Sequence, residues 1–564
     1  MKAFKKVIAV VLALMMVLAL VACGSSSSGD TADTAPAATG SSDAAPASDG
    51  TTKTAVGEYS ESNPYKLTFT YVEFYEQDAA ERQAVVDALN EYMIPNYNIE
   101  VEFYPLSYTE FMTNFGTSIM AYDEYDVIPV FYSTVSSWIN AEAMVDLAPY
   151  MDTADGQKIV AALGQETATV SSINGFQYGL PAMKESVELG GLWMRADICD
   201  ELGLTEKYDL DKSDGTYTGT IYNWSVAGDI FAQVKAAHPE MTPLYMYNSD
   251  QSPRFYFVDP LVDRFGVLDW QADHDSTTVV NEFETESFRN MCHLLADWYD
   301  KGYIFGDAAT DTQGTATMIK AGNTFSYATA IKPGFLAEAN ASNNTDGYAM
   351  YFGDQVEGGM ASHSCAFFGF GIADSSKDPE MAFKFLSALY TDPVVMNYWQ
   401  YGIEGVDYQV LDDGTAYFAD GVDNSNFKYY QNTGWAGGNQ FISYVWNDGT
   451  KDAGYWDALA AHNNWTYYSP AFGFMWDSSD YTTYITALNT ALETYRAALS
   501  TGSVGSANVD ATIDKLNDAL YAAGLQEVID AKQAQLDAWL ADNGPTATPQ
   551  SNLDLIATGE YIPN

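Results

Sequence analysis

The sequence predicts an α/β fold in which helices cover the sheets, and three observations lead to this class. Apolar residues alternate with polar ones in three short segments near the start of the folded part, which is typical of strands. Two segments with helical apolar spacing separate them, and a β-α-β-α-β run favours a parallel sheet covered by helices. A later segment repeats this arrangement, and the C-terminal region carries further helical stripes.

The first strand is predicted around 67–71, and a helix over 78–93 follows it. The second strand, 99–103, leads to another helical stretch and then to a third strand over 126–131. Ligands of open α/β sheets bind beyond the carboxyl ends of the strands. Here those ends are the segments 73–75 and 131–134.

The later segment is a predicted buried strand over 366–372 followed by a helix over 380–390. Asp378 and Pro379 supply an N-cap and a first-turn proline for this helix. Three more apolar stripes follow near the C-terminus, and we expect these helices to pack onto the body; they cover 485–499, 513–520 and 529–539.

Composition excludes several classes of protein. The 564 residues include 25 basic and 76 acidic side chains, which give a net charge of −51. Such a chain repels nucleic-acid phosphates, so we expect no nucleic-acid partner. The 12 Trp, 40 Tyr and 28 Phe require packed cores, which excludes disorder for most of the chain. Four cysteines are too few for a disulfide framework, and we interpret Cys199, Cys292 and Cys365 as small buried apolar residues.

The N-terminus has the pattern of an export signal. Three lysines precede an apolar run over 7–22, which is short for a membrane-spanning helix. The following Leu-Val-Ala-Cys sequence, ending at Cys23, resembles the lipobox of bacterial lipoproteins. We therefore expect a signal peptide over 1–22, lipidation of Cys23 and a flexible tether over 23–62 that is rich in Ser, Ala and Gly. The alternative is an ordinary signal with an incidental cysteine.

No catalytic signature stands out. The sequence lacks a Walker A motif, an HExxH motif and a CxxC pair, and the glycines of 369–374 lack the third glycine of a dinucleotide loop. Residues 209–215 hint at a calcium loop but depart from its glycine position, and we interpret them as an exposed turn. We expect no catalytic residue, no cofactor and no metal.

Several motifs resemble the family 1 extracellular solute-binding proteins of ABC importers, which are similar to maltose-binding protein. The segment Phe176-Gln-Tyr-Gly-Leu-Pro181 and the following 193–204 resemble one passage of that family, and 368–386 resembles its strand–turn–helix return. Tyr401-Gly-Ile-Glu-Gly-Val-Asp-Tyr408 and the tail over 497–539 resemble the LipO-type lipoprotein subgroup.

This resemblance implies a two-lobed fold of the type II periplasmic-binding-protein class, with a sheet flanked by helices in each lobe. We expect lobe 1 to comprise 63–185 and 362–410, and lobe 2 to comprise 186–361 and 411–564 with the C-terminal helices. A solute is then held in the cleft between the lobes, and closure around it is a hinge motion. The receptor is expected to be a lipid-anchored monomer on the outer face of the cell membrane that serves ABC permease subunits.

The resemblance also suggests which residues approach the cleft. Aromatic rings cover the apolar faces of a sugar, and polar side chains satisfy its hydroxyl groups. The predicted ligand-binding residues follow strands or lie in the family's polar loops: Glu73, Tyr75, Tyr132, Ser133, Asp250, Arg254, Phe255, Phe325, Tyr327 and Trp476. The aromatic stretch 395–470 is interpreted equally well as a sugar platform or as packing.

The predicted function is therefore capture of an oligosaccharide or another sugar, including a uronic-acid-containing one, for an ABC importer. Two alternatives remain open at this stage. One is a receptor for a peptide or another polar solute, and the other is a secreted enzyme that degrades polysaccharides. Binding of an unaltered sugar separates the receptor from the enzyme.

Overall fold

The computed structural model describes residues 57–121, 123–187, 189–210, 222–249, 254–352, 358–362 and 364–557. The predicted signal peptide, Cys23, most of the predicted tether and Asp250 lie outside the described residues, as does most of the turn 209–215. All of the described residues belong to a single unit that begins at Ala45.

The first sheet has five strands and contains the three strands predicted near the start of the folded part. β1 (Tyr65–Glu73) pairs in parallel with β2 (Ile99–Ser107) and with β3 (Val127–Phe131), as the β-α-β-α-β pattern predicts. The short β4 (Leu180–Pro181) closes the other edge.

The second sheet has four strands, and most of its pairs are antiparallel. Its strands are β5 (Leu189–Arg195), β6 (Thr242–Tyr245), β7 (Thr324–Ile331) and β8 (Gly347–Tyr351). They lie in the order β8-β5-β7-β6, and only β7 and β6 run in parallel. The chain then returns to the first sheet through β9 (Phe368–Ile372), which lies antiparallel between β3 and β4 and makes this sheet mixed.

Helices cover both sheets. α1 (Ala79–Tyr97) buries Val85, Leu89 and Met93 against the first sheet, and α2 (Pro379–Thr391) begins at the predicted cap, where the Asp378 carboxylate accepts from Met381 N at 3.2 Å. The other α- and π-helical segments are Tyr108–Glu110, Phe111–Phe115, Gly116–Met120, Val135–Asn140, Ala148–Met151, Ala154–Leu163, Gln165–Thr169, Ala196–Glu201, Leu204–Tyr208, Trp224–Ala237, Glu286–Asp300, Thr315–Lys320, Phe335–Asn343, Pro393–Tyr401, Tyr455–Asn464 and Gln550–Ala557. Short strand pairs join Ser172–Ile173 to Phe176–Gln177, Val267–Leu268 to Val279–Val280, Gly358–Met360 to Thr466–Tyr468, and Tyr408–Val410 to Ala416–Phe418.

The three C-terminal helices predicted from apolar stripes are present and pack on the core of the second sheet. They are α3 (Thr482–Ser500), α4 (Val509–Ala522) and α5 (Leu525–Asn543). Their buried leucines share one core with Leu192 of β5 and Leu244 of β6. The first sheet has a separate core around Phe69 and Phe385, so each sheet organises its own apolar interior.

The second part of the predicted lobe 2 makes contacts with both sheets. Tyr429 lies in the core of the first sheet, and the Trp435 ring lies 5.9 Å from the Phe368 ring of β9. These contacts favour placing the stretch around these residues in lobe 1, and the lobe boundaries stay a prediction. The interpretation of the cysteines is confirmed, because Cys199, Cys292 and Cys365 are all buried.

Candidate functional site

A cavity of about 560 Å³ lies where the chain passes between the two sheets, and we call it the crossing cavity. Its lining comes from 184–187, between β4 and β5, and from 361–367, which leads back to β9. The end of β7 and the loop 256–264 form further parts of the wall, together with Glu282 and Trp435. Segments that join the two sheets therefore form one concave site together with the end of β7, and a concave site of this kind is the usual setting for a small-molecule ligand.

A cluster of charges lies on one side of the crossing cavity. Lys332 Nζ donates to Glu185 Oε1 at 2.9 Å, and Lys184 Nζ lies 3.7 Å from the same oxygen. Burial raises the pKa of Glu185, but the two lysines outweigh it and lower this pKa to about 2. Glu185 is therefore a carboxylate at neutral pH, and it orients two ammonium groups beside the cavity.

A second charged cluster lies on the loop side of the cavity. Arg264 Nε donates to Glu282 Oε2 at 2.8 Å, and the Tyr256 hydroxyl donates to the other oxygen of Glu282 at 2.5 Å. Glu282 is buried, and such a carboxylate is stable only when charged and polar partners satisfy it. The arrangement fixes the directions of the Arg264 and Tyr256 side chains at the cavity wall.

Aromatic rings form another part of the wall and extend beyond it. Phe367 is 42% exposed, and its ring lies 4.9 Å from the Phe131 ring and 5.6 Å from the Tyr132 ring. The Trp435 ring lies 4.8 Å from the ring of Phe74, which follows β1. Aromatic faces and charged groups thus meet in one cavity, and together they suit a ligand with apolar faces and hydroxyl edges.

The predicted residues of the first sheet lie near its strand ends, as expected, but none of them lines the cavity. Tyr132 comes nearest through its contact with Phe367, and burial and the nearby Asp263 raise its pKa. Glu73 forms an ion pair with Arg82 at 3.0 Å. Tyr75 is 47% exposed and its ring lies 6.2 Å from the ring of Tyr430. Ser133 is exposed.

Three predicted residues of the second lobe are core residues in this structure. Phe255, Phe325 and Trp476 are buried in the core of the second sheet, so their side chains are not accessible to a solute. Tyr327 stacks on Trp193 at 5.4 Å, and burial raises the pKa of its hydroxyl to about 12. Arg254 is half-buried and does not line the cavity.

Sequence reasoning missed most of the lining. Lys184 and Glu185 follow the Gly-Leu-Pro motif after two intervening residues, and Lys332 follows the last residue of β7. The signal that could have identified these charged residues is their position just after the end of a strand, where the chain leaves its sheet. Trp435 belonged to the aromatic stretch whose interpretation was open, and Phe367 lay within the apolar run of the strand predicted over 366–372.

The described residues contain neither a metal-binding cluster nor a membrane-spanning helix. No group of three or more His, Cys, Asp or Glu side chains in this part of the chain is placed to bind a metal ion. Among the same residues, no helix combines the length and the apolar character needed to cross a membrane.

Comparison with known proteins gives a family match at the C-terminus and a relative along much of the chain. Residues 470–541 match a family described as a domain of unknown function, DUF3502. A carbohydrate ABC transporter substrate-binding protein of Streptococcus pneumoniae is 24% identical over 398 residues, which cover 68% of this chain and 74% of that protein.

Solved structures show the same fold. The N-glycan transport solute binding protein NgtS of Streptococcus pneumoniae superposes with a TM-score of 0.67 and 19% identity, covering 85% of this chain and 99% of that chain. The substrate-binding protein FusA of the same species, in complex with kestose, gives a TM-score of 0.53 and 14% identity over 85% of this chain and 100% of that chain. These similarities confirm the two-lobed α/β fold predicted from the sequence.

Proposed function

We propose that this chain, which belongs to the family 1 extracellular solute-binding proteins of ABC importers, captures an oligosaccharide and delivers it unchanged to a membrane permease. The observation that carries the proposal is the crossing cavity, because it joins the exposed Phe367 ring and the half-buried Trp435 ring to oriented charged groups between two sheets. The relative in sequence is described as a carbohydrate ABC transporter substrate-binding protein, and the structural neighbour NgtS as an N-glycan transport solute binding protein, which supports this class of solute.

The lining residues fit the surface of a sugar. Phe367 and Trp435 offer aromatic faces, which pack against the C–H face of a pyranose ring. Lys184, Lys332 and Arg264 donate hydrogen bonds, and Glu185 accepts them, so hydroxyl groups that lose water on binding find partners. With three cations and two carboxylates, Glu185 and Glu282, the lining also accommodates a uronic acid.

The proposed role is binding without catalysis. Glu185 is held as a carboxylate by its two lysines and is therefore unsuited to act as a general acid at neutral pH. The relatives are transport proteins, which supports the same conclusion. The secreted-enzyme alternative predicts turnover of a glycan, and the peptide-receptor alternative predicts binding of peptides in preference to sugars.

The test is a binding screen with an N-glycan fragment, kestose, an alginate oligosaccharide and a mixed tetrapeptide. We expect one of the sugars to saturate the protein in calorimetry and to raise its melting temperature by mass action. Mass spectrometry should recover that sugar unaltered. Glycan cleavage, or saturation by the tetrapeptide alone, would contradict the proposal.

We also propose that Cys23 is lipidated and anchors the protein, as a monomer, to the outer face of the cell membrane. The lipobox-like sequence before Cys23 and the tether-like composition of the residues after it support this. Cys23→Ala should move the protein from the membrane fraction to the medium or to an unprocessed precursor. Retention of a processed Cys23→Ala protein in the membrane would contradict lipid anchoring.

A further inference from the structure

The region 470–541, whose family carries no assigned function, contacts the wall of the crossing cavity at two places. Lys532 of α5 reaches the loop 259–268, which we call the wall loop. Gly473 N donates to Ser362 O at 3.1 Å, and Ser362 lies in the chain segment that leads to β9. Both contacted segments carry residues that line the cavity. The region 470–541 therefore contacts the wall of the candidate site without lining the cavity itself.

Lys532 is a fully buried lysine on a helix whose other buried residues are all apolar. Its Nζ donates to Asp263 Oδ1 and to Gly266 O, both at 2.9 Å, and lies 5.7 Å from the centre of the Trp476 ring. A buried ammonium is costly unless carboxylates and carbonyls satisfy it. All of these hydrogen-bond acceptors belong to the wall loop, so the charge attaches that loop to α5.

The wall loop requires such support because its backbone is strained. Leu261 and Val262 adopt left-handed conformations with φ of 46° and 83°. For a β-branched residue such as Val262 this conformation is unfavourable, and it persists only where surrounding contacts enforce it. The Asp259 carboxylate supplies one such contact by accepting from Leu261 N at 3.0 Å.

The backbone of the wall loop lies in close contact with α5 at Gly266. Gly266 has a φ of 99°, and a side chain there would meet Ile529 at 3.3 Å and Lys532 at 3.6 Å. On its other side the loop is joined to the return segment, because Asp259 accepts from Ser362 N at 2.8 Å and from Ser362 Oγ at 2.9 Å. Between these two attachments lie Pro260 and Arg264, which line the cavity.

We infer that the region 470–541 holds one wall of the solute cavity in its binding conformation, with Lys532 as the positioning residue of the wall loop. The consequence for solute binding rests on the proposed function. The attachment of the loop does not, since it can be observed without a ligand. Trp476, which the sequence suggested as a ligand contact, acts in this arrangement by covering the Lys532 ammonium.

The test compares Lys532→Met with the matched control Lys515→Met, which removes an exposed lysine from α4. Hydrogen–deuterium exchange of the ligand-free protein measures the loop, and titration with the sugar selected by the binding screen measures the site. In Lys532→Met we expect the amides of 259–268 to exchange about tenfold to a hundredfold faster, because one partner of a buried ion pair is missing. The sugar affinity of Lys532→Met should fall about tenfold or more, while the amides of β1 exchange at the parent rate. Lys515→Met should match the parent protein in both exchange and affinity.

Lys532→Met could exchange faster throughout because the variant unfolds, and a second variant is used to test the inference in that case. Asp263→Asn removes the partner of Lys532 from a half-buried position and should loosen the same segment alone. Unchanged exchange of 259–268 in Asp263→Asn, or in a folded Lys532→Met, would overturn the inference. Faster exchange without any sugar binding by the parent protein would support the attachment and contradict the proposed function.

Discussion

Phe367 shows how a single exposed ring distinguishes a solute site from ordinary packing. A phenylalanine that is 42% exposed leaves apolar area in water, and this area is available to cover a sugar. We expect Phe367→Ala to weaken sugar affinity about tenfold, since an aromatic contact is worth about 1 kcal/mol beyond its area. Calorimetric titration measures this change.

The control for Phe367 is Tyr484→Ala, which removes a similarly exposed ring from α3. Its affinity for the sugar should equal that of the parent protein. Equal affinity of Phe367→Ala and the parent would remove this ring from the site.

His462 gives the protein an acid sensitivity that can be measured without any ligand. Burial lowers its pKa to about 4, and its ring nitrogen lies 3.1 Å from Val187 O, next to the charged cluster. Because the unfolded chain binds a proton near pH 6.5 and the folded chain only near pH 4, this contribution to stability is complete above pH 6.5 and is lost between these values. The loss should be about 3 kcal/mol.

Urea unfolding at a series of pH values measures the His462 contribution. The free energy of unfolding of the parent protein should decline from pH 6.5 to pH 4, and His462→Gln should remove most of this slope. Parallel profiles for the two proteins would show that the histidine is not buried in its neutral form.

At the scale of elements, β9 shows why two glycines stand inside a buried strand. A Cβ on Gly369 would clash with Leu180 O, and one on Gly371 would clash with Tyr178 O. The strand therefore needs glycine for close approach of a neighbouring backbone, and not for binding phosphate, which the sequence had already made doubtful.

We expect Gly369→Ala to lower the free energy of unfolding by about 2 kcal/mol, because the added methyl group must displace backbone. Gly306→Ala is the matched control, since a Cβ there meets nothing within 4 Å, and its effect should stay within about 0.5 kcal/mol. Thermal unfolding of the two variants compares them. Equal melting temperatures would contradict the close packing of β9 on β4.

The elements with strong periodicity were predictable, and the cavity was not. The stripes of α3, α4 and α5 and the capped start of α2 followed from spacing and from Asp378, because one buried face leaves a periodic signal. Strands covered on both faces carry no such signal, so the sequence could not separate the buried Phe325 from residues facing the cleft.

At the scale of the whole molecule, the site arises from distant segments that carry no periodicity of their own. Glu185 and Lys332 are 147 positions apart, and Lys532 and Asp263 are 269 apart, yet each pair is in direct contact. Only the tertiary arrangement brings such residues together. The resemblance to a family supplied the two-lobed fold, whereas the residues that line the cavity had to come from the structure.

The charge of the crossing cavity differs in sign from the net charge of the whole chain. The chain carries a net charge of −51, while the crossing cavity contains three cations and two carboxylates, Glu185 and Glu282. A local excess of positive charge in an acidic protein favours polar or anionic sugars over cationic peptides.

The central claim is that the crossing cavity binds a sugar that leaves the protein unchanged. The most direct measurement is a titration of the purified protein with the screened oligosaccharides, followed by a structure of the saturated complex and mass analysis of the released ligand. The account predicts one intact sugar in contact with Phe367, Trp435 and the Lys184–Glu185–Lys332 cluster. A sugar bound elsewhere on the protein, or released as cleavage products, would contradict it.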